Sequence, residues 1–426
     1  VRRIIGLLLF LLFADDSDTT YAHNGIYPLF GWVHSIQFAQ LPFKFRPFDI
    51  FLMGVLVAGT LMRSPGPKPV LPMRNAILVQ GATIAIWFVY GLLRGGDARA
   101  ASWQTYLMMS AIALTLVLAQ RFRSASHYAL LGKVLVAAAI YRAVMLWYAY
   151  FTVVRPGLIV PFPEFVTSHD DTVLWVAAII IVIIDAFDRR SIAVTARTAL
   201  LLVLFLGAIL WNARRLAWVS LGASAVVMLA LIPRGAMRRR VNMVTIVVGP
   251  LLAIYFVVGQ GSSSRIFKPL QSFNTVTTEE DGSTRARNNE NLGLIATAQP
   301  SPWVGTGWGE KYVCLSDKYS IAKIFELWQY IPHNSILGLL AFTGILGFAG
   351  YWLPFPTAAF FNARVARLAR SQEARNCGAV GVALLVVCAN QLYGDMGLFY
   401  MKPMYVMSAC FAMAIRLPGS SHLWRS

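Results

Sequence analysis

The chain has 426 residues, 57% of them hydrophobic and only 13% charged, with a formal net charge of +18. Soluble domains run at roughly 45–50% apolar and about 25% charged, so the composition excludes a string of soluble domains and points to one polytopic membrane domain. The positive charge lies in short clusters between apolar runs, not on one soluble face, which argues against a nucleic-acid partner and for basic loops retained on one side of a bilayer.

The chain opens on RRIIGLLLFLLF, a basic start with a short apolar core. This has the outline of a signal peptide, but the ADDSDTTYA that follows has no clean small-residue cleavage site. It is read as a short first membrane helix, with a cleaved signal as the other reading. Apolar segments then recur near 48–62, 76–93, 105–120, 127–152, 172–187, 198–211, 213–232, 244–260, 335–356, 377–397 and 402–416. A span needs about 20 mainly apolar residues, fewer where flanking side chains snorkel or the bilayer thins. The segments therefore predict an all-α polytopic membrane protein with about 12 transmembrane helices. Helices 1–9 fall in 1–260, a large polar loop with short helices fills 261–333, and helices 10–12 fall in 334–426.

Loop charge sets the expected orientation. With the N-terminus inside, the inner loops carry Arg2 and Arg3, Arg63 to Arg74, Arg121 and Arg123, Arg189 to Arg197, Arg234 to Arg240, Arg364 to Arg375, and Arg416 with Arg425. The short opposite loops carry Lys44, Arg46, Arg94, Arg99, Arg155, Arg214, Arg215 and Lys402. This asymmetry predicts an N-in, C-in chain with the 261–333 loop outside. Within that loop, NENLGLIATA predicts a short amphipathic helix stopped by Pro300 and Pro302, and the spacing over 312–330 predicts a second, surface-lying helix.

The outer-side cations are the first candidate site residues. Arg214 and Arg215 run against the charge bias. They read either as a bidentate diphosphate clamp or as side chains snorkelling to headgroups. Arg285 and Arg287 open the polar loop and read as a second diphosphate contact or as solvated charges. His333 stands at the loop-to-helix junction, suited to orient or deprotonate a hydroxyl, and equally to cap the helix; Asn334 beside it is an N-cap residue. Arg142 within the fifth span and Asp395 at the eleventh line a substrate groove or form structural ion pairs.

The remaining residue types carry less. His23, His34, His127, His169 and His422 have no supporting context. Glu279, Glu280 and Asp281 read as solvated acids, and no metal-ligand spacing or cofactor motif is present. Cys314, Cys377, Cys388 and Cys410 are scattered, with no disulfide framework. The GTGWG at 305–309 lacks a strand–turn–helix setting and so reads as a tight turn on the membrane surface, with Trp303 and Trp308 as interfacial anchors. Gly338, Gly344 and Gly347 are expected to permit close helix packing.

Three segments together, NARRLAWVSLGASAVVMLAL, RNNENLGLIATAQPSPWVGTGWGE and HNSILGLLAFTGILGFAG, resemble the O-antigen ligase/polymerase superfamily. The resemblance covers roughly 210–350. It implies a metal-independent, inverting glycosyltransferase of GT-C-like architecture in the bacterial inner membrane, with its large loop in the periplasm. The implied donor is an undecaprenyl-diphosphate-linked glycan, and the implied acceptor a glycan or the lipid A core. By position, Arg214 or Arg215 together with Arg287 would bind the diphosphate, and His333 would act at the acceptor. The doubled arginines at 214/215 and 285/287 leave the acting pair open. Ligation, polymerisation and, less well, transport of a lipid-linked glycan are the competing functions. The sequence leans to the ligase.

Overall fold

The computed structural model describes residues 1–15, 47–61, 68–157, 166–189, 191–232, 282–316 and 326–423, with isolated positions between 238 and 267. Among these the regular structure is helical. The helices are α1 (Arg2–Ala14), α2 (Pro47–Leu61), α3 (Leu71–Leu93), α4 (Ala98–Arg121), α5 (Ala125–Ala149, continued by a π-turn at Tyr150–Val154), α6 (Asp171–Asp188) and α7 (Ile192–Asn212). They are followed by α8 (Arg215–Leu231), α9 (Gly282–Ala298), α10 (Ser335–Trp352), α11 (Pro354–Leu368), α12 (Gln372–Gly394) and α13 (Met401–Ser420).

Every predicted apolar segment that falls on described residues is helical; the segment predicted at 244–260 lies largely outside them. Among the described residues, 6 helical stretches are by length and composition able to cross a membrane: Leu71–Leu93, Ala98–Arg121, Ala125–Val154, Ile192–Asn212, Ser335–Leu368 and Gln372–Gly394. Pro47–Gly59 and Arg215–Leu231 are shorter apolar helices. The chain is therefore a polytopic α-helical membrane protein. Its outer helices carry apolar side chains outward, among them Leu200, Val203, Ile86 and Val89. That pattern suits lipid and would be costly in water. In contrast α6 and α13 are buried on nearly every face, from Leu174 to Ile180 and from Met404 to Leu417. A helix apolar all round belongs in the centre of a bundle.

The helix ends sort into two groups. At one end, Arg2 Nε donates to the Arg121 carbonyl at 2.8 Å, Arg367 Nη2 donates to that of Ala230 at 3.1 Å, and Arg416 donates to that of Ala119. At the other end, the Asp97 N–H donates to the Gly309 carbonyl at 2.9 Å and the Leu398 N–H donates to Ser335 Oγ at 3.3 Å. Arg2, Arg367 and Arg416 thus stand at one end, and the glycine-rich loop packs at the other. Lys402, expected in an outer loop, is instead buried in the first turn of α13.

The glycine-rich loop does more than turn: it seals a break in α10. At Gly344 the helix departs from helical geometry, with φ 61° and ψ −172°. The carbonyls and N–H groups freed by the break are taken up by residues 302–307. Phe342 O accepts from Gly307 N at 2.8 Å and Ala341 O from Thr306 N at 3.2 Å, while Ile345 N donates to Pro302 O at 2.9 Å and Leu346 N to Trp303 O at 3.1 Å. Irregular backbone at membrane depth survives only when protein supplies these partners, because each unsatisfied group costs several kcal/mol. Backbone-to-backbone pairing requires contact at main-chain range. A Cβ at Gly305 would meet the Phe342 carbonyl carbon at 2.5 Å, and one at Gly344 would meet the Trp303 carbonyl carbon at 2.4 Å. Trp308, expected at the interface, is 1% exposed and packs on Phe342 with ring centroids 5.6 Å apart; Trp303 is the exposed one at 62%.

The second loop helix does not form as expected. Residues 312–316 and 326–330 are non-helical, and Tyr312 N donates to Gln329 O at 3.0 Å. Residues 317–325 lie outside the described residues, as do Glu279, Glu280 and Asp281.

Candidate active site

The site forms where the ends of α7, α12 and the loop before α10 meet the starts of α6, α8, α9 and α13. The turn after α7 is the first scaffold. The helix stops at Asn212, Ala213 takes a left-handed conformation (φ 53°), and Arg214 is extended at the N-cap of α8. Asn212 Oδ1 accepts from the N–H groups of Val166 at 3.2 Å and Thr167 at 3.0 Å, and its Nδ2 donates to the Ser168 carbonyl at 3.3 Å. One buried amide therefore ties the segment before α6 to the arginine turn.

Immediately after that latch comes His169. Its Nδ1 lies 2.5 Å from Asp395 Oδ2, and its Nε2 meets the Arg214 guanidinium. Beneath it is a buried four-charge layer. Arg142 binds Asp171 through Nε at 3.0 Å and Nη2 at 2.6 Å, and Lys402 Nζ bridges Asp171 at 2.7 Å and Asp170 at 3.1 Å. Two cations and two anions cancel, which is the condition under which buried charges are tolerated in a membrane protein. Arg142 therefore sits in the ion-pair layer that supports the site.

The loop helix supplies the second half. Arg287, Glu290 and Asn291 share one face of α9 by their i, i+3, i+4 spacing. Arg287 Nη1 donates to the Gly394 carbonyl at 2.9 Å. Glu290 accepts from the His333 N–H at 2.6 Å and binds His333 Nδ1 at 2.8 Å. Asn334 Nδ2 donates to Asn291 Oδ1 at 3.1 Å, while its own Oδ1 caps α10 by accepting from Leu337 N at 3.1 Å. The Met396 N–H donates to the His333 carbonyl at 2.6 Å, so the short 394–396 segment joins both halves.

The electrostatics agree with this geometry. Burial alone would raise the Asp395 pKa, but the His169 hydrogen bond and the Arg287 and Arg214 guanidiniums more than reverse it, holding the carboxyl below its usual range. Tyr312 shows the opposite balance: burial and then the neighbouring Glu290 carboxylate push its phenol up.

The structure thus brings together Arg214, Arg287, His333, Asn334 and Asp395. Arg215 begins α8 half-buried, and Arg285 is exposed on α9. Two members escaped the sequence reading. His169, set aside for lack of context, is bonded to residues 45 and 226 positions away. Glu290 had a usable signal, its i+3 spacing from Arg287 inside a predicted amphipathic helix. A largely apolar cavity of about 560 Å³ opens among α5, α6, α7 and α12 near Asp185 and Arg197, and none of the site residues lines it.

Chemically, the arrangement offers two fixed guanidiniums and a histidine whose Nδ1 hydrogen points to a carboxylate. The neutral ring of His333 then carries its lone pair on Nε2, the form needed to take a proton. No curated protein matches the chain. Residues 200–352, which contain Arg214, Arg287 and His333, match the family model described as O-Antigen ligase, which supports the resemblance to the O-antigen ligase/polymerase superfamily.

Proposed function

We propose that the protein is a metal-independent, inverting glycosyltransferase of the O-antigen ligase type. It moves a glycan from an undecaprenyl-diphosphate donor onto an acceptor hydroxyl of the lipid A core, at the periplasmic face of the bacterial inner membrane. The observation that carries this reading is the convergence of Arg214 and Arg287 on Asp395, beside a His333 clamped by Glu290.

In this mechanism the acceptor hydroxyl attacks the anomeric carbon from the face opposite the diphosphate. The new carbon–oxygen bond forms as the bond to the diphosphate oxygen breaks, which inverts the centre. The hydroxyl proton passes to His333 Nε2 and then to solvent. The electron pair leaves on the diphosphate, whose growing charge the Arg214 and Arg287 forks stabilise without a metal. Glu290 steadies the imidazolium formed at His333. Arg215 and Arg285 supply outer cationic contacts to the same headgroup.

The membrane frame proposed is twelve helices in a GT-C-like arrangement, N-in and C-in, with 261–333 as the periplasmic loop. Arg2, Arg367 and Arg416 at one bundle end and the site residues at the other support it. A transporter would use a broken helix to line a polar path at mid-membrane. The break in α10 is instead filled by backbone from 302–307.

The test is to incubate purified protein with a defined undecaprenyl-diphosphate oligosaccharide, with and without lipid A core, and with and without chelator. Glycosylated core in the chelated arm is the expected product. Elongated lipid-linked glycan would make the protein a polymerase using the same chemistry. Intact donor in every arm would overturn the reading.

A further inference from the structure

We infer that His169 is a positioning residue for the lipid-diphosphate site. Oriented by Asp395, its ring accepts a hydrogen bond from Arg214 and so fixes that guanidinium; a side chain unable to accept it leaves Arg214 unbraced and weakens the grip on the donor. This rests on Arg214 being a diphosphate contact, as proposed above.

The argument is one of hydrogen counting. A guanidinium has donors and no acceptor. The Arg214 contact with His169 therefore requires a lone pair on Nε2, and the ring hydrogen must sit on Nδ1, where Asp395 Oδ2 receives it at 2.5 Å. The chain Asp395–His169–Arg214 is thus a directed relay with a defined tautomer. It occupies one edge of the guanidinium and leaves the other N–H groups held in one direction, the pre-organisation that bidentate phosphate binding needs.

The ring is itself held from several sides. Asn212 anchors the segment before it, the Thr172 hydroxyl donates to the His169 carbonyl at 2.5 Å, and the Tyr400 ring lies 6.3 Å away. The charged and titratable groups around it come from every packed element. They are Asp395 after α12, Arg214 before α8, Arg287 on α9 through Gly394, Asp170 and Asp171 at α6 with Arg142 and Lys402 on them, and Tyr400 before α13.

The consequence is separable from the chemistry at His333. Loss of His333 function lowers kcat; loss of the His169 relay raises KM for the lipid-linked donor. Donor KM and kcat are to be measured in wild type, His169→Gln and His169→Phe. Donor binding without acceptor is measured alongside.

His169→Gln retains an acceptor for Arg214, so its donor affinity should stay within about threefold of wild type. His169→Phe removes the acceptor and should weaken donor binding about tenfold or more, the scale of one charge-assisted hydrogen bond, with a fall in kcat beside it because Arg214 also meets the leaving group. Wild-type donor binding in folded His169→Phe sinks the idea, as does a loss in His169→Gln equal to that in His169→Phe. If His169→Phe does not fold, His169→Met, which also lacks the ring nitrogen, takes its place. If wild type binds donor but transfers nothing to any acceptor, the proposed function fails while the binding arm still judges His169.

Discussion

Two histidine–carboxylate pairs stand at the same end of the bundle, and the difference between them is what each ring does with its second nitrogen. In both, Nδ1 faces a carboxylate, at 2.8 Å for His333–Glu290 and 2.5 Å for His169–Asp395. The His333 side chain is 27% exposed and its carboxylate also holds the backbone, so the ring is oriented and available to a substrate. The His169 side chain is 16% exposed, and its Nε2 already receives an arginine. In the proposed mechanism the same pair therefore serves as a base at one corner and as a brace at the other. The chemistry is decided by the third residue.

That contrast can be broken outright. His333→Ala should cut kcat by about a hundredfold or more, the usual scale of positioned acid–base catalysis, with donor KM little changed. Folded protein must be verified by gel filtration in detergent. If His333→Ala raises donor KM and leaves kcat intact, the two corners have exchanged roles and the assignment collapses.

The next largest effect sharpens the shared element. Arg287→Lys keeps the charge but loses the planar fork, and should lower kcat/KM on the order of tenfold or more. Arg285→Lys, on an exposed neighbour, should lose far less. Equal losses at the two positions would mean that only net charge matters there.

Glu290→Gln tests the carboxylate of the catalytic corner. The amide still accepts from the His333 N–H but no longer stabilises an imidazolium. A fall in kcat of about tenfold is expected, with donor KM little changed. An unchanged kcat would detach Glu290 from the role proposed for His333.

Smallest is Asn334→Ala, which removes the cap on Leu337 and the bond to Asn291. It should cost about 1 kcal/mol of stability, read as a lowered melting temperature in detergent, with a minor change in kcat. A large kcat loss without a stability change would make Asn334 a substrate contact.

Much of the His333 corner was legible in the chain. A histidine and an N-cap asparagine at the mouth of an apolar helix, after a loop opened by arginines, are local signals with local physical reasons. His169 had none. It lies in a short polar stretch, and its meaning comes from Arg214 and Asp395, residues that only helix packing brings to it. The expected helix over 312–330 failed where described because helical spacing of aromatics is weak evidence beside a long-range backbone bond, here Tyr312 to Gln329. Trp308 was misjudged for a related reason. Tryptophans favour interfaces on average, but this one fills the space beside the break in α10.

The sequence by itself determined the helices and the residue types of the candidate site. Those depend on hydropathy and on the need of each membrane segment to satisfy its own backbone, and both are local. Only the tertiary structure decided that Arg142 belongs to an ion-pair layer under the site, that Arg214 meets His169 while Arg285 stays exposed, and that the glycine loop completes a broken helix. Each of these is a pairing of polar groups far apart in the chain. It exists because burial in a bundle makes an unpaired group too costly to leave, and the partner that relieves it is set by packing.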